Sequence, residues 1–244
     1  MKNNVMLSPS QRKERTRENR KLVTKFLRDE IFTDTEVLAD LLEFEQARNA
    51  NKVLKAMARD ELLIEHKHGR KSIWGINKTG LLFSYDDHED IPDRFTVFRP
   101  SKFNALTFEH RKQMQLIRIK LVREGWREWA TPKPVKGQSC PDAIAISPEG
   151  ERVAFEFERT LKASSRYDAI LKNHLEAISA KRYRKVIYLS PNLALVRRVE
   201  RMFLKFVNQS VVVASNTVTL SEGTIRTLFE FVSNENFTSN ILKD

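Results

Sequence analysis

The chain has 244 residues, 41% of them hydrophobic and 31% charged, with seven Gly, eight Pro and a single Cys, enough to bury a core in one large or two small domains. These counts exclude collagen-like, low-complexity and disulfide-bonded scaffolds and a thiolate zinc site, and no apolar run approaches the roughly 18 residues of a membrane span, so no membrane insertion is expected. Lys plus Arg is 43 against 32 Asp plus Glu, a formal +11, which favours a polyanionic partner such as nucleic acid, while the lone cysteine fits a reducing cytoplasm.

Positive charge is dense at the start, where Arg12, Lys13, Arg15, Arg17, Arg20, Lys21, Lys25 and Arg28 face only Glu14 and Glu18. From Arg20 the spacing of Leu22, Val23, Phe26 and Leu27 predicts an amphipathic helix. A second helix is expected from the Thr33-Asp34-Thr35-Glu36 cap through Leu38, Leu41 and Leu42. A third is expected from Gln46 to Asp60, with Val53, Leu54 and Met57 inward and Arg48, Asn49, Asn51, Lys52 and Lys55 outward. The run Leu62 to His68, the tip Gly69-Arg70-Lys71 and the run Ser72 to Ile76 read as a hairpin. Three helices followed by a basic hairpin is the order of a winged helix-turn-helix domain, whose third helix enters the major groove while the hairpin follows the backbone. Arg48, Asn51, Lys52, Lys55, His66, His68, Arg70 and Lys71 are therefore the DNA-binding candidates. The plainer alternative is a small helical packing module with a solvated charged face. The acidic run Asp86 to Asp93 lacks regular ligand spacing and reads as a solvated linker rather than a metal site. The domain boundary is placed near residue 97.

The remainder alternates helices and strands. A helix is expected over Phe108 to Glu124, a strand over Gly125 to Trp129, and two strands over Ala143 to Ser147 and Arg152 to Glu158 around Pro148-Glu149-Gly150. A helix over Ser165 to Arg182, a buried strand at Val186 to Leu189, a helix over Leu193 to Phe206 and a strand at Val211 to Val213 follow. This order implies an α/β (α+β) layer with some parallel pairing. If Ser147 pairs with Glu151, Asp142 falls opposite Glu156. Strand alternation then sets Glu158 on the face of Glu156, while Phe155 and Phe157 fill the other. Three carboxylates on one face repel unless a cation or proton offsets them. Mg²⁺ or Mn²⁺ suits such oxygen ligands and can lower the pKa of an attacking water. Lys162, just past the strand, is placed to meet a phosphate or the water. A merely solvated acidic strand is the alternative. His110, after Glu109 on its helix, is a candidate to contact phosphate or orient a ligand. Tyr167, about a turn beyond Lys162, is a candidate DNA-positioning residue, and Tyr188 is assigned to the core.

The set Pro141-Asp142 followed by Glu156-x-Glu158 resembles the PD-(D/E)xK nuclease superfamily, except that Glu158 stands where that pattern has lysine and the basic residue is displaced to Lys162. With a winged helix ahead of it, the chain resembles the MobC-type plasmid mobilization relaxases over nearly its whole length. The resemblance implies a DNA-binding domain over 1–97 and a restriction-endonuclease-like catalytic domain over 98–244. It implies metal-dependent nicking of one strand at a plasmid origin of transfer, with Asp142, Glu156 and Glu158 on the metal and Lys162 at the phosphate. An accessory mobilization protein and a coupling protein are the partners it implies. Two other expectations compete: a replication or transcription regulator with an inactive nuclease fold, and a double-strand-cleaving restriction or repair nuclease.

Overall fold

Ser8 Oγ accepts from the Gln11 N–H, and Gln11 Oε1 from the Ser8 N–H, a reciprocal cap that starts helix α1 (Pro9–Glu30) well before Arg20. The first half of α1 is exposed all round, so it lacks the apolar stripe by which a helix is read from sequence. The computed structural model describes residues 8–133, 140–213, 215–234 and 237. The chain divides into two compact units, 1–116 and 117–244.

In the first unit α1 is followed by β1 (Phe32–Asp34), α2 (Thr35–Leu41), α3 (Ala47–Arg59), β2 (Leu63–His68), β3 (Lys71–Ile76) and α4 (Lys78–Ser84). The expected hairpin forms, pairing Leu63 with Ile76 through His68 with Lys71, and β1 adds a third antiparallel strand on the other edge of β3. Trp74 is fully buried and donates its indole N–H to Thr35 Oγ1 at 2.9 Å. On the opposite face Ile73 joins Phe98 and Phe108 in an aromatic cluster with Phe32 and Phe103. Phe98 lies so close over β3 that a Cβ on Gly75 would fall 2.1 Å from its ring. That glycine is required by packing rather than by a turn.

Two expectations about the middle of the chain are corrected. The acidic run is no solvated linker: Asp86 pairs with Lys21 at 2.9 Å and Lys25 at 2.5 Å, and Glu89 with Arg28 at 3.1 Å, clamping it to α1. The division between units falls within helix α5 (Ala105–Arg123), later than residue 97. Its first turns belong with β1, because Gln115 accepts from Thr33 Oγ1 at 2.6 Å and donates to the Phe32 carbonyl at 3.0 Å. Lys112 donates to Asp34 Oδ2 at 2.7 Å, and Arg111 lies over the Phe32 ring at 4.6 Å.

The second unit contains β4 (Arg127–Ala130), β5 (Ala143–Ile146), β6 (Arg152–Phe157), α6 (Ser164–Ser179), β7 (Lys185–Ser190), α7 (Leu193–Leu204), β8 (Ser210–Val213), β9 (Asn216–Thr219), α8 (Glu222–Leu228) and β10 (Phe229–Ser233). Five strands form one mixed sheet in the order β10-β7-β6-β5-β4, with β6, β7 and β10 parallel; β8 and β9 form a separate hairpin. One side of the sheet buries Ala154 and Tyr188 against Tyr167, Leu171, Val199 and Phe203. On the other, Trp126 meets Phe155 edge-on and Trp129 meets it tilted, with ring centroids 5.3 and 5.5 Å apart. The mixed α/β class is as expected. Among the described residues no helix is long and apolar enough to cross a membrane.

Candidate functional site

The β5–β6 register follows the sequence expectation. Ala143 pairs with Phe155 through Ile146 with Arg152, and the Ser147 N–H donates to the Glu151 carbonyl at 2.8 Å. Continued by one residue, that register sets Asp142 opposite Glu156. Asp142 Oδ2 accepts from the Phe157 N–H at 2.8 Å, which fixes the carboxylate against β6. Glu156 turns toward α6, where His174 Nε2 lies 3.5 Å from its Oε1. Burial pushes the Glu156 carboxyl pKa upward and the Asp142 charge adds to the rise, while the His174 contact and the Lys162 charge oppose it. Glu158 is only 5% exposed and forms an ion pair with Lys162. Lys162 therefore does return from beyond the strand to the acids.

Each of the three acids is engaged by a different group: Asp142 by a backbone N–H, Glu156 by a histidine and Glu158 by a lysine. Among the described residues no group of three His, Cys, Asp or Glu is drawn together to hold a metal ion. Glu158, expected as a third ligand, is instead neutralised by Lys162. Asp142 and Glu156 remain as a neighbouring pair of oxygen donors, the chemistry that suits Mg²⁺ or Mn²⁺.

Tyr167, expected at DNA, is fully buried: its ring meets Phe203 edge-on at 5.9 Å and its hydroxyl accepts from the Lys162 N–H at 3.3 Å. Tyr188 is in the core, as expected. His110 lies half-buried on α5 within the first unit, whereas the acids belong to the second. The residue that sequence reasoning passed over is His174, buried with Tyr183 and Tyr188 around Glu156. Its signal was a polar residue in register with the apolar stripe of Tyr167, Leu171 and Leu175.

In the first unit Arg48, Lys52 and Lys55 are exposed on α3 and Asn51 is half-buried. Arg48 and Asn51 meet Arg70 and Lys71 of the hairpin tip around a cleft of about 260 Å³, completed by Asp34, Thr35, Glu36 and Ser72. Lys112 binds both acids of that cleft, and its hydrogen bond holds the Glu36 carboxyl below the usual carboxylate range. His66 and His68 are placed differently. Their rings lie 5.5 and 5.1 Å from Phe103, and His66 also 6.3 Å from Phe98. The half-buried His66 packs on these rings, and the exposed His68 leans on Phe103.

No family model matches the chain, and no curated protein matches it.

Proposed function

We propose that the protein is a metal-dependent, site- and strand-specific DNA endonuclease that nicks a plasmid origin of transfer, in the manner implied by its resemblance to MobC-type relaxases. The observation that carries this reading is the apposition of Asp142 and Glu156 across β5 and β6, with Lys162 brought back to the same acids by Glu158. In this reading the first unit is a winged helix-turn-helix domain, with α3 in the major groove and the β2–β3 hairpin as its wing. The second is a PD-(D/E)xK core.

Asp142 and Glu156 would hold Mg²⁺ or Mn²⁺, which when bound supplies a Lewis acid for the phosphate and a water of lowered pKa. Lys162 places a positive charge where negative charge develops on the phosphoryl oxygens. Glu158 holds the flexible lysine stem in that position. Because Tyr167 is buried, water rather than this tyrosine is the attacking group. The lone cysteine fits a cytoplasmic location, and the resemblance adds, as partners, an accessory mobilization protein and a coupling protein. The regulator with an inactive nuclease fold is favoured by one observation, that each acid already has a protein partner.

The test uses the full chain on supercoiled plasmid carrying a transfer origin. Mg²⁺ or Mn²⁺ should convert it to open circles, and Asp142→Asn or Glu156→Gln should abolish conversion while origin binding persists. Full activity in excess chelator refutes the metal assignment. Tight origin binding without nicking establishes the regulator, and linear product the double-strand nuclease.

A further inference from the structure

From Pro9 to Glu18 every side chain of α1 is exposed. Further along the same helix Val23, Phe26, Leu27 and Glu30 form a buried stripe. Carried back at about 100° per residue, that stripe runs through Arg12 and Thr16. Lys13 and Arg15 lie within a quarter turn on either side of it, and Glu14 and Glu18 fall on the opposite face. The positions that would pack in an apolar helix are thus held by cations, and the acids are turned away from them.

Neither packing nor pairing secures this segment beyond its Ser8 cap. An unpacked helical stretch of this length is marginal in water. Lys13 with Arg17, and Glu14 with Glu18, are like-charged pairs four residues apart, an arrangement that opposes the helix. Among the described residues Lys13, Glu14, Arg15, Arg17 and Glu18 enter no ion pair. From Arg20 onward the pattern reverses: Arg20 is answered by Asp60, Lys21 and Lys25 by Asp86, and Arg28 by Glu89. The open segment also springs from beside the second and third helices. Arg20 meets Asp60 at the end of α3, and Gln11, Arg15 and Leu22 line a groove of about 630 Å³ with Leu41 and Glu43 around the end of α2.

Resting on the reading of the first unit as a DNA-binding domain, we propose that the first turns of α1 are a phosphate-binding arm. The backbone of duplex DNA lies along the face of Arg12, Lys13 and Arg15, a contact additional to those of α3 and the hairpin. That face has no apolar anchor of the kind that centres a protein–protein interface, whereas exposed cations release counterions when phosphates replace them. Ten residues at about 1.5 Å each reach ~15 Å, roughly four base steps of duplex. Phosphate contacts carry no sequence information, so the arm supplies affinity and α3 the address.

The measurement is fluorescence anisotropy of the full chain on an origin duplex and on an unrelated duplex across a range of salt concentrations, with circular dichroism to verify the helix. Lys13→Gln combined with Arg15→Gln should lower the salt slope by about 0.9 for each cation, and should weaken both duplexes by the same factor. The decisive variant exchanges the faces at constant net charge: Lys13→Glu with Glu14→Lys, and Arg15→Glu with Glu18→Arg. It should lose at least as much affinity as the Gln variant. A wild-type slope in the Gln variant, or wild-type binding by the exchanged variant, overturns the inference and leaves DNA binding through α3 standing. A loss confined to the origin duplex overturns it too, because phosphates do not discriminate sequence. A wild-type chain that binds neither duplex overturns the DNA-binding reading and this inference with it.

Discussion

Lys112 offers a direct measure of how α5 holds the first unit together. Its side chain is 8% exposed and donates to Asp34 Oδ2 at 2.7 Å, where Asp34 is itself only 3% exposed, and also to Glu36. Burial works against the lysine charge, but the hydrogen bonds that it donates to the two acids more than offset it, so its pKa lies above the ordinary lysine value. Lys112→Met keeps the length of the side chain and removes the cation. Asp34 cannot swing into water without releasing its Oδ1 from the Val37 N–H at 3.0 Å, the cap that starts α2. A nearly buried carboxylate is left without its cation, at a cost of about 2–4 kcal/mol, below the fully buried case because it borders the cleft. That is a large fraction of the roughly 5–15 kcal/mol that stabilises a domain. Adding Asp34→Asn removes the orphaned charge and retains a capping oxygen, so the double variant should return to within about 1 kcal/mol of wild type. Urea unfolding of the full chain, with hydrogen exchange of the β1 and α2 amides to localise the change, measures both. A loss below about 1 kcal/mol for Lys112→Met, or a double variant no better than the single, would refute the reasoning.

Gly75→Ala should destabilise the first unit by about 1–3 kcal/mol through the clash with Phe98, seen as a lower melting temperature, and the same change made in a Phe98→Ala background should cost less. Lys25 and Lys21 depress the Asp86 pKa to about 2; a depressed carboxylate stabilises above its ordinary value near about 3.9 and loses this as pH falls toward the folded value. Asp86→Asn should therefore flatten the acid limb of stability, recorded by circular dichroism across that window. Arg48→Ala should weaken origin binding by about 1–3 kcal/mol if the arginine reads a base edge, whereas Arg70→Ala and Lys71→Ala should each lower the salt slope by about 0.9, both read by fluorescence anisotropy. Tyr167→Phe should retain nicking, with no labelled DNA travelling with denatured protein; a protease-sensitive adduct lost in this variant would promote Tyr167 to nucleophile.

The parts legible in the sequence are those fixed by local chemistry. The Pro148-Glu149-Gly150 turn sets the pairing of β5 with β6, Gly150 adopting a positive φ of 90°, so the apposition of Asp142 and Glu156 followed from counting. Helix α3 was legible because Ala50, Leu54 and Met57 are buried on one face while Arg48 and Lys52 are exposed. Partners distant in sequence were not legible. Lys112 and Gln115 read as ordinary polar positions of an amphipathic helix, and only folding shows that they meet Asp34 and Thr33 on β1. Alternation placed His66 and His68 on one strand face, but not that Phe98 and Phe103 would cover it. Glu158 obeyed the same alternation, and spacing alone could not foresee that Lys162 would claim it. Strand β1, with three residues, is too short to carry a period.

The formal charge of +11 pointed to a polyanion, yet net charge says nothing of where that partner sits; internal pairing does. Along α1, the cations Lys21, Lys25 and Arg28 are answered by Asp86 and Glu89, and Arg20 by Asp60. Lys112 is answered by Asp34 and Glu36, and Lys162 by Glu158. Among the described residues Arg48, Lys52 and Arg70 enter no such pair, and all three are exposed on α3 and the hairpin tip. Such cations retain their counterions until a phosphate displaces them, and it is that release which yields salt-dependent affinity. The second unit shows the complementary case: burial, and then the charge of its neighbour Asp142, raise the pKa of Glu156 inside a basic chain. Under the proposed endonuclease reading, the uncommitted cations of the first unit would bind phosphates and the neighbouring acids of the second would hold the metal.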